Sequence, residues 1–162
     1  MNEGVDANVR MGRFLAELDK LEQNLRARAP HPLVGPPSLH AATLHGGMEL
    51  SMYAASCKLG IERRTLPGET EAQVVGEVQA IVDRLSAADP TFSATVKTLL
   101  ARPPSEVAAD APIVKTLTRA ATDMLVKPPA FIGVPFWMDA ALLSAAGVDT
   151  VVIGPVGAGA HA

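Results

Sequence analysis

Apolar residues recur at steps of three and four over residues 7–28, where Met11, Phe14, Leu18, Leu21 and Leu25 share one stripe. That spacing predicts an amphipathic helix. Asp6 stands where an N-cap is needed, Arg26 and Arg28 suit the negative end of the helix dipole, and Pro30 and Pro32 end it. The period then changes. Ser38 to His45 reads as a strand closed by Gly46-Gly47, and Met52 to Thr65 alternates more strictly. In that second run Tyr53, Ala55, Cys57, Leu59 and Ile61 fall on one face, and Ser56, Lys58, Gly60, Glu62 and Arg64 on the other. An antiparallel sheet covered on one face gives this pattern. After a turn at Leu66-Pro67-Gly68-Glu69, Thr70 and Gln73 have the spacing of a capping box. Val74, Val75, Val78, Ile81, Val82 and Leu85 then form the apolar face of a second helix, which Asp89-Pro90 breaks. Phe92, Ala94, Val96, Thr98 and Leu100 alternate as a third strand.

Helix, strand, strand, helix, strand is the order of a β-α-β-β-α-β unit without its first strand. The expected fold is therefore α+β, a ferredoxin-like layer lacking one strand, with sheet edges that invite pairing with another chain. The absent strand also suggests a chain that starts inside a longer protein. Arg102-Pro103-Pro104-Ser105 marks the boundary, giving domains 1–104 and 105–162. Beyond it Asp110 caps a helix through Leu125, with Ile113, Val114, Leu117, Ala121 and Met124 on one side. Lys127-Pro128-Pro129 ends that helix. A strand from Phe131 to Val134, a helix from Asp139 to Ala146 and a strand from Thr150 to Ile153 make a partial α/β segment.

Composition narrows the class. Apolar residues make up 48% of the 162, enough for a core, but aromatics are only 4%, so packing rests on Leu, Val and Ile. A net charge of −3 with interspersed signs argues against nucleic acid as a partner. No stretch reaches the roughly 18–20 apolar residues needed to span a bilayer, and the polar, acidic start is no signal peptide. Cys57 stands alone, which excludes an internal disulfide and points to the cytoplasm. On an apolar strand face it reads as a small buried hydrophobe.

The residue that most resembles a ligand is His161, delivered by a glycine-rich loop that follows the last strand. Sites in open α/β sheets are built where loops leave strands in this way. The loop lacks the lysine and hydroxyl of a nucleotide-binding P-loop. His40 and His45, five apart on a strand, are expected on opposite faces, and His31 lies in a loop between two prolines.

Four segments carry a family resemblance: Gly4-Val5-Asp6-Ala7-Asn8, the run Glu62 to Glu69, Trp137-Met138-Asp139-Ala140-Ala141, and Gly154-Pro155 through His161. In these the chain resembles the metallopeptidase family of acetylornithine deacetylase, succinyl-diaminopimelate desuccinylase, aminoacylase and carboxypeptidase G. The resemblance implies an α/β catalytic domain holding two zinc ions, interrupted by a ferredoxin-like lid that forms a homodimer. Residues 1–104 are similar to the lid and 105–162 to the start of the returning catalytic part. His161 is similar to the last metal ligand. Arg64 matches a lid arginine that holds a substrate carboxylate, a task that suits the guanidinium fork, though a solvated ion pair with Glu62 is an equal reading. Ser51 stands where the family has a substrate-binding asparagine, and Ala54 where it has proline. Asp139 falls in the family's Thr-Asp-Ala motif with Met138 replacing threonine; its simplest role is to cap the following helix, and substrate contact is the other reading.

A catalytic zinc site takes three protein ligands and keeps an open position for water. His161 is the one residue here that matches the ligand set. The function expected is thus part of a zinc-dependent hydrolase of N-acyl amino acids or small peptides, inactive by itself. The alternative is a non-catalytic lid-like module that only dimerises.

Overall fold

The structure is a computed structural model and describes residues 4–125 and 127–154. The chain divides into two compact units, Met1–Pro103 and Pro104–Ala162.

Unit 1 opens with α1, Ala7–Arg26. Asp6 starts it as the sequence predicts: its backbone is extended and its carboxylate accepts from the Asn8 N–H at 2.9 Å. Pro30 and Pro32 lie in a tight loop closed by reciprocal bonds between His31 and Gly35, each 2.9 Å. Gly35 has φ +78, a conformation that favours glycine. His31 is absorbed in this loop, its Nδ1 accepting from the Leu33 N–H.

β1, Ser38–Gly46, and β2, Cys57–Arg64, form a two-stranded antiparallel sheet. The pairing runs from Ser38↔Arg64 to Gly46↔Cys57, with an irregularity between Ala41 and Thr43. Below it His40 faces Glu62; above it His45 faces Lys58. Glu62 and Lys58 share a face of β2 because they are an even number of residues apart. The bulge therefore places His40 and His45 on the same face, correcting the opposite-face expectation. Residues 52–56 also depart from the strand they were expected to join. Ala54 instead turns inward, 3% exposed, and its carbonyl accepts from the Ala7 N–H at 2.9 Å.

The turn and second helix follow the sequence closely. Glu69 N–H donates to the Leu66 carbonyl at 3.0 Å, with Gly68 at φ +91 as a type II turn requires. Thr70 and Gln73 form a reciprocal capping box that starts α2, Glu71–Ala88. Asp89 ends it, and its carboxylate accepts from both the N–H and the hydroxyl of Thr91.

One core holds unit 1 together. Phe14, Leu18 and Leu25 from α1, Leu39 from β1, and Val78, Ile81 and Val82 from α2 are buried with Phe92. Leu25 and Ile81 are the most deeply enclosed, at 0% and 2% exposure. Burying each contributes about 2 kcal/mol. Ion pairs lace α1 to α2 outside this core: Arg13 to Asp89 at 2.5 Å and Arg84 to Glu17 at 3.3 Å. The Arg10 guanidinium adds a bond to the Thr91 hydroxyl at 2.6 Å.

The third strand expected over residues 92–100 is not formed. Phe92 is buried and Val96 packs against the core, but the segment joins no ladder. Strand geometry persists through pairing with a neighbour, and in a split βαβ arrangement another strand would separate this segment from β2.

Unit 2 contains α3, Pro112–Leu125, and α4, Ala140–Ala145. α3 begins at Pro112 rather than on Asp110, which fits the preference for proline at the first helical position. Val114 and Ala121 are its buried residues, whereas Met124 is 85% exposed. Residues 131–134 and 150–153 are irregular rather than the strands expected, because neither finds a partner among the described residues. Asp139 does not cap α4 with its side chain. Its backbone is already helical, at φ −59 and ψ −20, and only its carbonyl serves the helix.

Candidate functional site

Two adjacent arginines at the end of β2 point to opposite sides of the sheet. Arg64 is on the open side, 49% exposed, and its Nε donates to Glu62 Oε1 at 3.0 Å. The other Glu62 oxygen lies 3.3 Å from His40 Nε2 across the strand pair. His40, Glu62 and Arg64 thus form a row on the exposed face, each about half accessible to water.

Arg63 takes the opposite course. Its side chain is 5% exposed and enters the margin of the core, where it pairs with Glu69. Its Nη1 donates to the carbonyl of Arg64. The second oxygen of Glu69 accepts from the Leu66 N–H at 2.7 Å. Glu77, from α2, lies 3.7 Å from Arg63 Nε and accepts from Arg28 at 2.6 Å. A buried charge survives where opposite charges and hydrogen bonds replace water, as Arg63 Nη1 and Nη2 find here, while Arg63 Nε and Glu77 Oε2 are buried without a hydrogen-bond partner. This cluster escaped the sequence reading, although a signal existed. Extending the Cys57, Leu59, Ile61 alternation by one step puts Arg63 on the covered face.

Ser51 belongs to the other end of the hairpin. It lies in the connection between Gly46 and Cys57, in a turn closed by Met52 N–H to the Glu49 carbonyl at 3.3 Å. Gly4-Val5-Asp6-Ala7-Asn8 secures this connection. A Cβ on Gly4 would stand 2.3 Å from the Tyr53 ring, and the Asn8 amide nests against Gly46 and Gly47. Arg64 is seven residues past Cys57, about 23 Å along the strand. One chain therefore does not bring Ser51 and Arg64 to a single small carboxylate.

Asp139 belongs to unit 2, at the start of α4, and His161 lies outside the described residues. Among the described residues no three His, Cys, Asp or Glu side chains gather as a metal would require. His40 meets one carboxylate on an open surface, His45 faces Lys58, and His31 is held in its loop. Cys57 is half-buried with a free thiol. No described helix is long and apolar enough to cross a membrane.

Two helices packed on one side of an antiparallel hairpin whose other side is open and polar form an α+β module. Comparison with known proteins makes the class specific: residues 1–90 match the peptidase dimerisation domain, and the chain belongs to that family. It is 25% identical over 156 residues to an acetylornithine deacetylase of Myxococcus xanthus, a match covering 95% of this chain and 40% of that protein. It is 31% identical over 88 residues to the N-formyl-4-amino-5-aminomethyl-2-methylpyrimidine deformylase of Bacillus subtilis strain 168, covering 53% of this chain and 21% of the relative. The chain thus spans at most 40% of the length of these relatives.

Proposed function

We propose that this chain is the lid and an adjoining segment of a zinc-dependent hydrolase that cleaves the amide of N-acyl amino acids or small peptides. The lid's part is to hold the substrate carboxylate with Arg64. The observation that carries this reading is the presentation of Arg64 on the open polar face, backed by Glu62, at the position the family resemblance assigns to a carboxylate-holding arginine. Both relatives bear names of enzymes that remove acyl groups, a deacetylase and a deformylase.

Zinc, when bound, supplies a Lewis acid and a water of lowered pKa. His161 is the residue of this chain proposed to reach it. With one such ligand, the 162 residues alone are proposed to be inactive. Their partner is a second copy of the chain, joined through the lid, and the single thiol suits the cytoplasm. Neither nucleic acid nor membrane is proposed as a partner, in keeping with the mixed surface charge.

The test is titration of the purified protein with N-acetylglycine, followed through the backbone amide resonances of β2. A saturable shift in the wild type that Arg64→Gln abolishes supports the reading. A protein whose affinity is unchanged by Arg64→Gln would remove its basis. A second reading, a lid-like module that only dimerises, is favoured by the confinement of the family match to residues 1–90. It predicts a stable dimer and no carboxylate binding.

A further inference from the structure

We infer that Arg63 is a positioning residue that sets the backbone from which Arg64 reaches the open face. The inference rests on the carboxylate-holding role proposed for Arg64 and adds how that side chain is aimed. Arg63 is the least exposed charged side chain of its cluster, at 5%, and it donates directly to the Arg64 carbonyl. That bond fixes the peptide plane that follows Arg64. Glu69 holds the next stretch: one oxygen takes the Arg63 guanidinium, and the other takes the Leu66 N–H at 2.7 Å.

The charged groups facing Arg63 are Glu69 from the turn and Glu77 from α2, and Arg28 beyond α1 serves both carboxylates. Arg28 lies 2.6 Å from Glu77 and 3.6 Å from Glu69. Two cations thus meet two anions where the end of α1, the end of β2, the turn and α2 converge. The guanidinium fork lets one buried group bind a main-chain carbonyl and a carboxylate together. Lysine carries the charge but not that geometry. A group that only filled core volume would need no bond to the neighbouring carbonyl. The inward arginine anchors and the outward one binds.

The experiment compares wild type, Arg63→Lys and Glu69→Gln by thermal melting, by the heteronuclear NOE of the Arg64 side-chain Nε–Hε, and by titration with N-acetylglycine. Arg63→Lys is expected to fold, to lower the Arg64 NOE, and to raise the Kd about tenfold, the scale of one charge-assisted hydrogen bond. Glu69→Gln is expected to move both readouts in the same direction, and it decides the matter should Arg63→Lys fail to fold. Variants that melt earlier yet keep the wild-type NOE and Kd would show a core residue only, and the inference would fall. If the wild type itself does not bind N-acetylglycine, the proposed role of Arg64 fails separately, and an unchanged NOE in the variants would still overturn the anchoring of its backbone.

Discussion

The carboxamide of Asn8 lies against the bare α-carbon of Gly46, so close that a Cβ on residue 46 would stand 2.0 Å from Asn8 Oδ1. The contact joins the start of α1 to the end of β1 and keeps the connection bearing Ser51 folded against the helix. Gly46→Ala must displace the amide, at a cost of about 1 kcal/mol. Adding Asn8→Ala should recover part of that loss, because the two sites interact directly, while the 2.9 Å approach to Cys57 Sγ remains. Gly47→Ala behaves differently: φ is +80 there, so most of the strain is in the backbone, and Asn8→Ala relieves only the 3.3 Å approach to Asn8 Nδ2. Urea denaturation of the single and double variants measures both expectations.

Ile81 is 2% exposed and packs among Phe14, Leu18 and Phe92 in the core of unit 1. Ile81→Ala should lower stability by about 2–5 kcal/mol, since the two helices cannot fully collapse onto the gap. The urea midpoint should fall with an unchanged slope. A loss under 1 kcal/mol would mean the core is looser than the burial indicates.

Thr70 and Gln73 each satisfy a main-chain donor of the other, Gln73 N–H to Thr70 Oγ1 at 3.3 Å and Thr70 N–H to Gln73 Oε1 at 2.8 Å. Thr70→Ala should cost about 1 kcal/mol, and Thr70→Ser should restore most of it. Thermal melting followed by circular dichroism distinguishes the two.

Hydrogen bonds from Thr91, its hydroxyl first and its N–H second, hold the Asp89 carboxyl below its ordinary value of 3.8, with Arg13 and Arg10 adding to the effect. The folded state therefore prefers the charged form. Its stabilisation is complete above the unfolded pKa and is lost as pH falls through the lowered folded value. Lys20 and Arg84 lower Glu17 in the same sense. Melting temperature should thus decline as pH falls below about 4, and Asp89→Asn should flatten part of that decline.

How much could be read from residues alone depended on how local each signal was. The Asp6 cap, the Thr70–Gln73 box, the Pro67-Gly68 turn and the stripes of α1 and α2 are fixed by neighbours in sequence, and all appear as expected. Residues 92–100, 131–134 and 150–153 carried strand-like alternation but lack ladders, because a strand depends on a partner that its own residues cannot specify. The same limit applied to the candidate site. Arg64 was legible as a surface cation, whereas the Arg63 cluster joins Arg28, Glu69 and Glu77 from separate elements. Ser51 and Arg64 looked like companions in sequence, yet the strand between them holds them at opposite ends.

The irregularity between Ala41 and Thr43 has a consequence for the whole hairpin. One surplus residue resets the parity of β1, so Ser38, His40, Thr43 and His45 all look outward although their numbering changes from even to odd. Deleting Ala42 would make the ladder continuous, with Ala41 opposite Ile61 and Thr43 opposite Gly60, and every outward residue would keep its side. Were Ala42 instead taken into the ladder, the ribbon would turn inside out from Thr43 onward. Leu44 would trade sides with its polar neighbours, and the water-facing surface would lose its chemistry at one end while the other kept it.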